Sequence, residues 1–68
     1  MADLVTGHRV GGFILFQDEE GLRHAVRAAG VLALSEGDHD GGITIMQMPG
    51  NRAVMIRRSI DEVLSWFR

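Results

Sequence analysis

Gly41 to Phe67, GGITIMQMPGNRAVMIRRSIDEVLSWF, decides the fold of this 68-residue chain. Ile43 to Met48 and Arg52 to Arg57 are both rich in apolar and β-branched residues, and Pro49-Gly50-Asn51 separates them. Two such runs joined by turn residues read as a β-hairpin. Proline presets an early turn position, while glycine and asparagine accept the left-handed conformation that closes a short connection.

Beyond the second strand, Ser59-Ile60-Asp61-Glu62 has the S-x-x-E spacing of a capping box, so a helix is predicted to begin at Ile60. Asp61 and Glu62 sit where the helix dipole favours negative charge, and Ile60, Val63, Leu64 and Phe67 form one apolar stripe. A helix of about nine residues does not persist alone in water, so the stripe must dock on a sheet.

Side chains alternate along a strand, which sorts the hairpin into two faces. Thr44, Met46 and Met48 lie on one and Ile43, Ile45 and Gln47 on the other; in the second strand Val54 and Ile56 oppose Ala53 and Met55. Neither face is polar. One short helix covers only one side, which leaves the other to the remaining strands or to a second subunit. Met46, Met48, Met55, Trp66 and Phe67 are therefore candidate interface residues, since methionine adapts to irregular contacts and tryptophan is enriched at binding hot spots. The competing reading places all five in the core of the monomer.

Working outward toward the N-terminus, Val31 to Ser35 reads as a strand, and Glu36 to Gly42 as an acidic, glycine-rich connection. Leu22 to Gly30 fits two templates. As a helix, Asp18 caps it and Leu22, Ala25, Val26 and Ala29 form the stripe; as a strand, Leu22, His24 and Val26 face in, with Ala28 to Gly30 as a corner. Phe13 to Phe16 is an apolar strand leading into the polar turn Gln17 to Gly21. Residues 1–12, broken by Gly7 and Gly11-Gly12, read as a flexible arm with room for a short strand, and residues 13–68 as a single domain. The fold class expected is α+β, an antiparallel β-meander of about five short strands with one C-terminal α-helix.

A chain this short buries only about 60% of its unfolded surface, and without cysteine it has no disulfide to compensate, which points to homo-oligomerisation. The formal net charge of −2 gives no basic field for nucleic acid or an anionic membrane. No signal peptide and no apolar run near the ~18 residues of a membrane span is read, so a cytoplasmic location is expected.

Asp38-His39-Asp40 carries metal-ligand chemistry, but three adjacent residues do not converge on one ion and the spacing fits neither calcium nor zinc motifs. A solvated loop is the reading, with no metal. His8 and His24 stand apart from any nucleophile, and the glycines match no phosphate-binding pattern, so no cofactor and no enzymatic activity is expected. Arg23, Arg27, Arg52, Arg57 and Arg58 can gather on one sheet surface as anion or partner contacts; otherwise they form a solvated face paired with Glu19, Glu20, Asp61 and Glu62. No exposed aromatic residue is read among them, so no base-stacking platform is expected.

HAVRAAGVLAL, ITIMQM, RAVMIRRS and IDEVLSWF, together with the signature Arg57-Arg58-Ser59-Ile60-Asp61-Glu62-Val63, resemble the small bacterial proteins of the FlbD/SwrD type. The resemblance spans about residues 13 to 67 and favours the strand for Leu22 to Gly30. It implies a role associated with flagella and motility, without catalytic residues. The expectation is a non-enzymatic, homo-oligomeric protein-binding or regulatory module. The alternatives are a nucleic-acid-associated regulator using an arginine face, and a phage-encoded inhibitor of a host protein.

Overall fold

The computed structural model describes residues 6–68. Six strands follow one another: β1 (His8–Val10), β2 (Phe13–Gln17), β3 (Arg23–Arg27), β4 (Ala33–Glu36), β5 (Thr44–Met48) and β6 (Arg52–Ile56); a single helix, α1 (Ile60–Ser65), closes the chain. They form two antiparallel sheets, β1-β2-β3 and β4-β5-β6, each a simple meander. The fold is thus α+β, but the expected single five-stranded meander is corrected to two sheets of three strands. The division falls at Ala28–Gly30, a 3-10 turn that swings the chain away from β3, so that β3 and β4 do not pair. The extra strand is β1, from the stretch read as an arm; residues 1–5 of that arm lie outside the described residues.

The central hairpin forms as its turn residues dictate. Thr44 pairs with Ile56 and Met48 with Arg52, and between them Gly50 and Asn51 adopt φ of 80° and 62°. Asparagine is among the few residues other than glycine that enter this left-handed region readily. Leu22 to Gly30 resolves as β3 plus the 3-10 corner, with His24 and Val26 partly buried and Arg23, Ala25 and Arg27 exposed. Leu22, expected to face inward, is 61% exposed in the turn.

The inner faces of both sheets share one core. Ile14 and Phe16 come from β2, Met46 from β5, Ile56 from β6, and Val63 and Trp66 from α1 and its C-terminus. Two hydrogen bonds tie together segments that are not strand partners, the first of them across the two sheets. The Glu19 N–H donates to the Met55 carbonyl at 2.9 Å, joining the β2–β3 turn to β6. The fully buried Thr44 hydroxyl donates to the Arg58 carbonyl at 2.8 Å, tying the start of β5 to the link before α1.

Ser59 caps α1 by accepting from the Glu62 N–H at 3.2 Å. Only that half of the capping box forms. The Glu62 carboxylate instead meets the Arg58 guanidinium at 3.1 Å, an i,i+4 pair. Gly7, with φ of 86°, lies against the Trp66 indole, where a Cβ would fall 2.6 Å from Cδ1. Only glycine fits both that backbone conformation and that contact.

Candidate functional site

Three surfaces carry the residues of interest. The first is the outer face of the β4-β5-β6 sheet. Register and alternation place Ala33 and Ser35, Ile45 and Gln47, and Ala53 and Met55 there. All six remain at least partly exposed and none is charged, in a chain of which 24% is charged. Beside β4, Gly37 lets Ile43 and Ile45 close over the backbone, since a Cβ would approach Ile43 Cγ2 to 2.9 Å.

Of the five candidate interface residues, Met55 alone belongs to this face, at 36% exposure. The structure places the other four toward the protein interior. Met46 is fully buried and Trp66 is 7% exposed, while Met48 and Phe67 pack partly buried against the same core. The physical reason is the second sheet. The inner hairpin face, Thr44, Met46, Met48, Val54 and Ile56, is covered by β1-β2-β3 as well as by α1, so covering that face requires no second subunit.

The second surface is the seam where the β2–β3 turn meets β6, a shallow opening lined by Asp18, Glu19, Glu20, His24 and the stretch from Ala53 to Met55. Asp18 organises it. One carboxylate oxygen, Oδ1, accepts from the backbone N–H groups of Glu20 and Leu22, each at 2.9 Å; the other, Oδ2, pairs with His24 Nε2 at 2.8 Å. The hydrogen bond to His24, helped by the backbone donors, holds the Asp18 carboxyl below the usual carboxylate range. The His24 imidazole stacks on Phe16, ring centroids 5.3 Å apart, and Phe16 stacks on Trp66 at 5.8 Å. A column of three rings therefore runs from this seam through the core to the C-terminal segment.

The third surface comprises the arginines, which are not collected on one sheet. Arg23 and Arg27 lie on the outer face of β1-β2-β3, whereas Arg52 flanks the turn of the β5–β6 hairpin and Arg57 and Arg58 follow β6. Arg57 and Arg58 border a depression with Thr6, Gln17 and Asp18. The expected gathering fails because β3 and β6 belong to different sheets. One of the expected ion pairs, Arg58 with Glu62, is present.

The Asp38-His39-Asp40 loop is closed by its own backbone: Asp38 Oδ1 accepts from Gly42 N–H at 3.0 Å and Ile43 N–H at 3.2 Å. Among the described residues no group of three or more His, Asp or Glu side chains is placed to hold a metal ion. No helix among them is long and apolar enough to cross a membrane.

Sequence reasoning missed the Asp18–His24 pair and the exposure of Phe13. Both follow from the β2–β3 register: Phe16 opposes His24, Asp18 lies two positions beyond Phe16 on the same side, and Phe13 lies on the opposite side. No family model matches the chain, and no curated protein and no solved structure matches it either.

Proposed function

We propose that this chain is a non-enzymatic, homo-oligomeric module that binds or regulates a protein partner, in a cytoplasmic setting and in a role akin to that of the FlbD/SwrD type. One observation carries the reading: three adjacent strands present an outer face without a single charge. A face free of charge is complementary to itself, because a twofold contact brings no like charges together.

The face is a better candidate than the sheet edges. The Met55 carbonyl on the outer edge of β6 is already engaged by Glu19, and β1, the edge strand of the other sheet, spans three residues with Arg9 exposed at its middle. Short, charged or covered edges resist strand addition.

The test is the mass in solution across a dilution series, by sedimentation or light scattering. The wild-type chain is expected to associate, and Met55→Glu to shift it to monomer at concentrations where the wild type remains assembled. A folded wild-type chain that stays monomeric at every concentration overturns the proposal.

A further inference from the structure

Met55 lies within the uncharged outer face of β4-β5-β6, directly opposite Ile45, with Ala53 two positions along the same strand. It is 36% exposed, whereas Met46 is fully buried and Met48 packs partly buried against the core. The Glu19 N–H holds the Met55 carbonyl at 2.9 Å, so the backbone at this position is anchored while the side chain faces solvent. Among the described residues, a diffusing oxidant therefore reaches the Met55 sulfur before that of Met46 or Met48. Methionine sulfur is polarizable and nucleophilic, and its oxidation turns an apolar side chain into a polar one.

We infer that Met55 is an oxidation site through which hydroperoxides release the self-associated chain. This rests on the proposal that the outer face of β4-β5-β6 joins two copies. The thioether sulfur attacks one oxygen of hydrogen peroxide, and the S–O bond forms as the O–O bond breaks. The departing hydroxide takes the proton from the new S–OH group and leaves as water, so sulfur is oxidised by two electrons and the peroxide is reduced. The sulfoxide is reversible by methionine sulfoxide reductases. Ile45 opposite and Ala53 alongside have no side-chain donor for its oxygen. Joining two such faces then buries an unpaired acceptor from each copy, and one such acceptor weakens an association about tenfold. The contact also shields Met55, so the assembled chain is oxidised more slowly than the dissociated one.

The experiment treats the full chain with hydrogen peroxide at several protein concentrations, maps the added oxygen by peptide mass spectrometry and follows assembly by sedimentation. Met55 is expected to gain oxygen before Met46 and Met48, and more slowly as the concentration rises. The oxidised chain should keep its circular dichroism spectrum and need at least about tenfold higher concentration to assemble, and a sulfoxide reductase should restore assembly. Met55→Leu, close in volume and without sulfur, should assemble and remain assembled in peroxide. Should that variant fail to assemble, reversal of the oxidised wild type by the reductase decides. An untreated wild-type chain that is monomeric at every concentration overturns the self-association reading and this inference with it. An assembled wild type that survives complete oxidation of Met55 overturns this inference alone. So do oxidation of Met46 or Met48 as fast as Met55, dissociation accompanied by unfolding, and equal loss of assembly in peroxide-treated Met55→Leu.

Discussion

The β1-β2-β3 and β4-β5-β6 sheets are built alike, each three short antiparallel strands in chain order, and both give their inner residues to one core. Their outer faces differ in charge. One carries arginines, a histidine and an exposed phenylalanine without an acid, while the other carries alanine, serine, glutamine, isoleucine and methionine without any charge. In a chain this small the inner faces are consumed by folding, since Ile14, Phe16, Met46, Ile56 and Val63 have almost no surface left. Whatever distinguishes the sheets functionally must therefore be sought in the residues that alternation turns outward.

The sharpest way to break the comparison is to remove the core that the sheets share. Trp66→Ala deletes the C-terminal end of the ring column and the packing over Gly7, at a cost of about 3–5 kcal/mol for a buried aromatic. A domain of this size has roughly 3–10 kcal/mol in total, so the loss is a large share of it and the variant is expected to unfold at a much lower temperature or denaturant concentration than the wild type. Hydrogen exchange should show protection lost from both sheets together. Persistence of protection in one sheet would mean that the two fold separately, and the division of labour between them would then be one between independent units.

What the sequence disclosed of this arrangement follows the range of the forces involved. The hairpin at Pro49-Gly50-Asn51 and the Ser59 cap are set by residues within a few positions of one another, and both form where turn and capping chemistry place them. The division into two sheets depends on β3 and β4 not pairing and on β1, whose three residues are all exposed and carry no apolar alternation. Neither has a local signature. The run Phe13 to Phe16 is apolar at every position, so it conceals which residues face out, and only its register with β3 exposes Phe13 while burying Phe16. The candidate surfaces were legible as composition, in the methionines and arginines, but the face on which each lies required the pairing.

A smaller effect sharpens the link between the central hairpin and the helix. Thr44→Val keeps the shape of a fully buried side chain and removes the donor to the Arg58 carbonyl, which should cost about 1–3 kcal/mol. Thermal or urea unfolding measures the loss. Because Thr44 lies on the inner face, the variant should leave self-association per folded chain unchanged. A change would show that the outer face of β4-β5-β6 depends on the hairpin–helix link.

The smallest effect concerns the seam between the sheets. Asp18→Asn keeps an Oδ1 able to accept from Glu20 and Leu22 and gives up only the charge that faces His24, so the turn should survive and its docking on β6 through Glu19 should loosen slightly. The pH dependence carries a definite sign. The folded carboxyl titrates below the 3.8 of an ordinary aspartate, so its contribution to stability is complete above that value and is lost as pH falls through the depressed one. The wild-type chain should therefore lose stability over this acidic window more steeply than Asp18→Asn, and the two curves should run parallel above it. Trp66 fluorescence against pH at a fixed sub-denaturing urea concentration reads the difference, since the indole reaches His24 through Phe16. Parallel curves throughout the acid range would mean that the carboxylate–imidazole pair adds nothing to joining the sheets, and would leave the Glu19–Met55 hydrogen bond and the common core as what holds them face to face.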